Sequence, residues 1–345
     1  MSEKVFRKYD LIVGWAVFAV AVLTYTLTME PTVSFWDCGE YIATSAKLEV
    51  GHPPGAPFFQ MVGAFLATFA AGADKIAATV NFMSVLSSAF TVLFLYFIIV
   101  NLTKKLALRG QEALTQGQTI AVLGSGVVGA LAYAFSDSFW FNAVEAEVYA
   151  MAMLFMSAMF WLGIKWTDNL HQPRGDKWLL LIALVVGLSF GVHFMALLTI
   201  PAIGMLYFFN SNYKKNAKNF IIANVVSIAI LLLIFKLILP YTLAYFGYLE
   251  VFFVNSIGLP FNSGTIIAGL SVVAVFYFTL RYAYREHKVH LQTLTLCMLF
   301  VFIGFSSWLM IPIRSNADVV INENSPTDAR LLLAYYNLEQ YPETH

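Results

Sequence analysis

The stretch "SFWDCGEYIATSAKLEVGHPPGAPFFQMVGAFLATFAAG", residues 34–72, decides the fold. Its second half, "PFFQMVGAFLATFAAG" at 57–72, is apolar but only 16 residues long, and it follows Pro-Pro. A membrane-spanning helix needs about 20 mostly apolar residues. If 57–72 is a span, everything after it is inverted across the membrane. If it is a re-entrant or interfacial helix, the charges of the whole chain fall into order. The second reading is adopted.

Composition makes the membrane unavoidable. The 345 residues are 59% hydrophobic and 12% charged, with 31 Phe, against roughly 25% charged residues in a soluble domain. The fold class is an all-α integral membrane protein. The formal net charge is zero and no basic run occurs, which points away from nucleic acid. Cys38 and Cys297 are too few for a disulfide framework or a CxxC metal site. Nine runs are long enough to span: 10–29, 80–101, 118–137, 146–166, 178–194, 195–212, 219–239, 264–284 and 291–311. The fifth and sixth are short and tightly joined.

With nine spans and a cytoplasmic N-terminus, 15 of the 20 basic residues face the cytoplasm, as the positive-inside rule requires. Lys47, Lys75, Lys236, Arg314 and Arg330 remain outside or at its margin, with 14 of the 20 acids. The first span lacks a following small-residue cleavage site and reads as a signal anchor. The outer face then holds the first loop 30–79, the segment "SDSFWFNAVEAEVYA" (136–150), the turn around His193, a loop 240–263 and the tail from Arg314. The expected domains are a transmembrane domain, 1–313, and an outer-face segment, 314–345.

The polar residues on that face need a reason. If 35–46 is helical, Asp37 and Glu40 share one face at i,i+3 spacing. Half desolvated by Phe35, Trp36 and Tyr41, such a carboxylate can serve as a general base; the alternative is a pair of solvated surface acids. His52-Pro53-Pro54-Gly55 forms a rigid turn. It either stiffens the approach to the helix at 57–72 or holds His52 close to the carboxylates, where it can contact a phosphate. Glu145 and Glu147 begin the fourth span, where the helix dipole favours anions; with Trp140 and Tyr149 they also resemble the wall of a polar site, the alternative for the two aromatics being the more usual role of interfacial belt anchors. Gly187 and Gly191 permit close helix packing beside His193, an ionisable residue near membrane depth and so a candidate site residue; a His satisfied by a neighbouring carbonyl is the alternative. Arg314 follows the last span on the side where cations are rare, so it is a candidate phosphate ligand; snorkelling is the alternative, as for Lys236. Such a face suits an amphiphile with a lipid tail, a phosphate and a head group needing acid–base chemistry.

These residues resemble the GT-C membrane glycosyltransferases. Protein O-mannosyltransferases and lipid A aminoarabinose transferases of that superfamily carry an acidic first-loop motif followed by a His-Pro-Pro or Lys-Pro motif. "WDCGEY", "GHPPGAP", "WFNAVEAEVYA" and "GLSFGVHFMALLTIPAI" are similar to a bacterial and animal branch containing the transmembrane O-mannosyltransferases of extracellular immunoglobulin-like domains. The resemblance covers about residues 10–340. It implies a GT-C-like bundle of about nine transmembrane helices, with interfacial helices in the first outer loop. It implies that Asp37 is the general base and Glu40 its companion, although two residues separate them here and none does in the mannosyltransferases. It implies that His52 is the His of the turn, and that Glu147 and Tyr149 line the site. His193 and Arg314 are assigned to the lipid phosphate from their position.

The implied reaction is inverting transfer of a sugar, expected to be mannose, from a polyprenyl-phosphate carrier to Ser or Thr of outer-face proteins. No cofactor and no metal are expected; Asp37, Glu40 and Glu147 are the residues that would supply hard oxygen ligands to a divalent ion. The expected partners are the lipid-linked sugar, the acceptor protein and membrane lipid, and the expected location is the inner membrane of a bacterium. Relatives usually extend well beyond the last span, so the segment 314–345 is expected to be truncated relative to them. The alternatives are a carrier or flippase for a lipid-linked anion, a non-catalytic assembly subunit, or transfer to a lipid or glycan.

Overall fold

The computed structural model describes residues 2–342. Fifteen α-helices follow in chain order: α1 (Glu3–Thr28), α2 (Cys38–Lys47), α3 (Pro57–Ala67), α4 (Ile76–Ala107), α5 (Gln116–Ala134), α6 (Asp137–Ala143), α7 (Val148–Asp168), α8 (Lys177–Ser189), α9 (Thr199–Asn210), α10 (Ala217–Leu232), α11 (Leu239–Val251), α12 (Ser263–Arg285), α13 (Val289–Phe305), α14 (Met310–Ser315) and α15 (Ala329–Tyr336). The described residues contain no strand, apart from one isolated parallel bridge between Val50 and Asn322. The chain is an all-α, multi-pass integral membrane protein. Among the described residues, seven helical stretches are long and apolar enough to cross a bilayer: Glu3–Thr28, Ala73–Ala107, Gln116–Ala134, Val148–Asp168, Ala217–Ser256, Ser263–Arg285 and Val289–Ser315.

Two of the nine expected spans, 178–194 and 195–212, depart from that count. α8 has 13 residues, about 20 Å at 1.5 Å per residue, against a hydrocarbon core of about 30 Å. It stops because the backbone turns at Gly191, whose carbonyl accepts the amides of Phe58 (2.8 Å) and Phe59 (3.1 Å). The side-chain Nδ1 of His193 then accepts from Met195 N–H at 3.1 Å and starts a 3-10 turn, Phe194–Leu198, ahead of α9. The expected loop 240–263 is also corrected, since helix continues from α10 to Ser256. Pro240 lacks the N–H that Lys236 would need, and the helix passes it by widening into a π segment, Leu233–Ile238. The helix at 57–72 is present and ends at Ala67.

The helices form two compact units, 1–46 with 62–165 and 47–61 with 166–345. In the first, α1, α4 and α5 pack through Val17, Ala21, Val92, Tyr96 and Ala130. The Tyr25 hydroxyl donates to the Ala134 carbonyl at 2.8 Å. In the second, α8 lies against α13, and the wholly buried Trp308 indole donates to the Phe190 carbonyl at 2.9 Å. The tail belongs to this unit. Val50 and residues 321–323 exchange two backbone hydrogen bonds, and Asp328 caps α15 through the amides of Arg330 and Leu331. Buried Glu250 likewise caps α12, accepting from Asn262 and Thr265 amides at 2.6 and 2.7 Å.

Candidate functional site

In the first unit, the segment leading from α1 to α2 is pinned at several points. Asn81 of α4, buried, donates to the carbonyls of Glu30 (2.7 Å) and Thr32 (2.9 Å). Glu30 N–H donates to Val144 carbonyl at 3.0 Å, and the Trp140 indole to Thr28 Oγ1 at 2.9 Å. Trp36 then takes a left-handed conformation, φ +60°, uncommon for a bulky residue. That turn starts α2, whose first helical bond runs from Tyr41 N–H to the Asp37 carbonyl at 2.9 Å. Asp37 therefore occupies the cap position, a place Asp favours. Its side chain is exposed, and Glu40 follows half-buried in the first turn. The helix begins at Cys38, so the two acids sit at a cap and in a first turn, where sequence spacing had placed both inside one helix.

The second-loop acids are the buried ones. Glu145 and Glu147 are 3% and 6% exposed, immediately before α7. Burying carboxylates requires hydrogen-bond partners, and the first loop supplies them. Ser34 Oγ donates to Glu145 Oε2 at 2.6 Å, and the wholly buried Cys38 thiol donates to Glu147 Oε1 at 3.6 Å. Desolvation pushes the Glu147 carboxyl from its ordinary 4.5 up to about 7; the charges of Asp37 and Glu145 act in the same direction, and hydrogen bonds from the Cys38 thiol and the Asp37 amide oppose it. Burial, with Glu145 and Glu147 nearby, also raises the Cys38 thiol. Tyr41 is raised by burial and by Glu147, Asp37 and Glu40, with Tyr149 adding to them. Asp37, Glu40, Glu147 and Tyr149, drawn from two loops, thus all act electrostatically on the Tyr41 hydroxyl. A carboxyl that titrates near neutrality beside an exposed carboxylate is suited to proton transfer. Ser34 and Cys38, three residues before and one after Asp37, carried no signal in the sequence, because a hydroxyl and a thiol matter here only through the carboxylates that meet them.

A carboxyl whose folded-state pKa exceeds its unfolded value binds its proton more tightly when folded. The stability it contributes is complete below about 4.5 and is lost as the pH rises through about 7. Thermal unfolding of the detergent-solubilised protein across that window should therefore show the wild-type midpoint falling, and Glu147→Gln should remove that component of the slope. An unchanged slope would mean Glu147 is not the group that titrates.

The remaining expected residues, His52, His193 and Arg314, lie in the second unit. His52–Gly55 closes as a turn with Gly55 N–H on the His52 carbonyl at 3.0 Å and a cis Pro53–Pro54 bond. Gly55 has φ +76°, and an added Cβ would lie 2.8 Å from the Tyr335 hydroxyl, so both its conformation and its neighbour require glycine. Tyr335 donates to the carbonyls of Gly51 (2.6 Å) and His52 (3.1 Å). His193 spends Nδ1 on the Met195 amide, and burial lowers its pKa, favouring the neutral ring. Arg314 donates from Nε to the Leu48 carbonyl (2.5 Å) and from a terminal nitrogen to that of Lys47 (3.2 Å). It thereby satisfies the carbonyls where α2 ends, a role for cations at helix C-termini. Arg314→Ala should cost about 1–3 kcal/mol of stability, the penalty of leaving such groups unpaired, readable as a lower thermal midpoint. A normal midpoint with weakened binding of a lipid phosphate would instead assign Arg314 to the ligand.

The second unit also contains an apolar cavity of about 780 Å³ between α8, α9, α10 and α13, lined by Val186, Ile203, Ala223, Met298 and Val301. The stacked rings of Trp166 and Tyr207, 5.1 Å apart, also border it. Among the described residues, no group of three or more His, Cys, Asp or Glu is placed to hold a metal ion.

The model of the family described as "Protein O-mannosyl-transferase TMEM260 N-terminal domain" matches residues 37–217, which contain both acid loops and the His-Pro-Pro turn. The chain is 26% identical over 165 residues to a Dictyostelium discoideum protein named protein O-mannosyl-transferase tmem260, covering 48% of this chain and 18% of that one. It is 27% identical over 175 residues to the Mus musculus protein O-mannosyl-transferase TMEM260, covering 50% and 22%. The match thus spans about a fifth of each relative's length. No solved structure matches the chain.

Proposed function

The chain belongs to the family of the protein O-mannosyl-transferase TMEM260 N-terminal domain, and from that premise we propose that it is a glycosyltransferase moving mannose from a polyprenyl-phosphate carrier to Ser or Thr of acceptor proteins, with Asp37 as general base. The observation that carries the reading is the exposed Asp37 carboxylate at the start of α2, backed by the buried Glu145 and Glu147. The acceptor hydroxyl loses its proton to Asp37 as its oxygen attacks the anomeric carbon from the face opposite the phosphate. The anomeric carbon–phosphate oxygen bond breaks, its electron pair leaves with the phosphate, and the configuration inverts. Glu40, Glu147 and Tyr149 line the sugar side.

His52, His193 and Arg314 are assigned to the phosphate. His193 offers a neutral N–H, and Arg314 the N–H groups not engaged with Lys47 and Leu48. Donors aimed at the departing charge stabilise it. The apolar cavity of the second unit suits a lipid tail. No metal or nucleotide takes part in this scheme, because the lipid carries the activated sugar and its phosphate leaving group. We place the N-terminus in the cytoplasm and the acids on the outer face of a bacterial inner membrane. The distribution of 15 of 20 basic residues supports the orientation; the two relatives reported above are eukaryotic. The test supplies membranes containing the full chain with labelled polyprenyl-phosphate mannose and outer-face proteins. Label on protein upholds the reading; label on lipid or glycan, or none, overturns it.

A further inference from the structure

We propose that Ser34 and Cys38 are positioning residues that clamp the loop on both sides of Asp37, by donating to the buried carboxylates Glu145 and Glu147, and so hold Asp37 for proton abstraction. The inference rests on the reading of Asp37 as the base. Three observations carry it. The two donors bracket Asp37 in sequence, and each bonds an acid 109 to 111 residues away. Both acceptors and the thiol are nearly or wholly shielded from solvent, where a hydrogen bond left unmade is expensive. Between the two attachment points lies Trp36 with φ +60°. A bulky residue in that region is strained, and such strain persists only where the surroundings over-determine it. Two hydrogen bonds flanking the strained residue provide that determination, and the Ser34 bond at 2.6 Å has the short length of a charge-assisted contact.

The clamp is not a passive tether. Glu147 accepts from Cys38 and from the Asp37 amide, and the charges of Asp37 and Glu145 and the Tyr41 hydroxyl face it. Protonation of Glu147 removes the negative charge that strengthens both bonds, so the loop loosens as the pH falls through the range in which this carboxyl titrates. A thiol is a weak donor. A hydroxyl in its place holds the ionised carboxylate more firmly, and a methyl group does not hold it at all.

The experiment compares wild type, Cys38→Ala and Cys38→Ser, all as the full chain, with two readouts: mannose transfer from polyprenyl-phosphate mannose as a function of pH, and thermal midpoint as a function of pH. Cys38→Ala should lower kcat about fivefold, the factor one net hydrogen bond represents, with KM for the donor unchanged. It should also move the acid limb of the rate profile and the pH midpoint of the stability curve upward. Cys38→Ser should recover most of the rate and move both downward. If wild type transfers and neither variant moves either midpoint, the clamp is overturned while the base assignment stands. If wild type transfers no mannose, the base assignment falls, and opposite shifts of the stability midpoint for Ala and Ser still uphold the Cys38–Glu147 bond, whereas unmoved midpoints overturn it. If Cys38→Ala does not fold, the downward shift of Cys38→Ser decides alone.

Discussion

Asp37→Asn should lower mannose transfer to protein by about 10²–10⁴-fold, the contribution of a positioned general base, while leaving the fold intact. Asparagine suits the cap position as well as aspartate does, so α2 should still begin at residue 38, with its first bond from Tyr41 to the residue-37 carbonyl. What the variant loses is the ability to take a proton. The loss should appear in kcat, with the KM for the lipid-linked sugar little changed, because the carboxylate acts on the acceptor hydroxyl in the transition state. Thermal unfolding serves as the control: a normal midpoint with abolished transfer assigns the base. Undiminished transfer would move that role to Glu40 or Glu147, and the pH profile of Glu147→Gln would then discriminate between them.

Gly187→Ala should cost about 3 kcal/mol or more, at the upper end of the usual penalty for overfilling a packed interior. A Cβ on Gly187 would lie 2.1 Å from the Val301 carbonyl oxygen of α13 and 3.0 Å from the Gly304 Cα. These are backbone atoms, which cannot rotate away as a side chain can. On the facing helix, a Cβ on Gly304 would lie 2.5 Å from the Leu188 amide, so α8 and α13 touch backbone to backbone in the manner of small-residue membrane interfaces. Gly124→Ala in α5 is the matched control. Nothing lies within 4 Å of its Cβ position, and replacing a helical glycine there should be neutral or stabilising by about 0.5–1 kcal/mol. Thermal midpoints of the two variants in detergent give the comparison, and equal midpoints would refute the close approach.

Much of the helix layout was legible because hydropathy is a local property. Runs such as 80–101 and 264–284 are predominantly apolar along their length, and helices occupy them. The close packing at Gly187 was legible too, since a glycine in an apolar helix has few other uses. The same reasoning overcounted at 178–212, where the apolar run is continuous but the backbone turns at Gly191 to receive the Phe58 and Phe59 amides. It also stopped a helix at Pro240, because the π segment that accommodates proline is invisible in composition.

For the site, the types of residue could be read and their circumstances could not. "WDCGEY" and "AEVY" drew attention to Asp37, Glu40 and Glu147 as acids set beside apolar helices, and to Tyr149 as their aromatic neighbour. Cys38 was read only as one of two cysteines too few for a disulfide framework or a metal site, and the structure places its thiol on Glu147. Arg314 looked like a phosphate ligand, and its guanidinium is engaged with the carbonyls of Lys47 and Leu48.

The amino-acid sequence alone determined that lipid surrounds this chain, where its long helices run and which loops carry its acids, because each of these depends on the residues of one short window. Tertiary structure alone decided that Glu145 and Glu147 are buried while Asp37 is exposed, and that Ser34 and Cys38 are their donors. Desolvation and hydrogen bonding are properties of a residue's neighbours in space, and here those neighbours come from loops more than 100 residues apart.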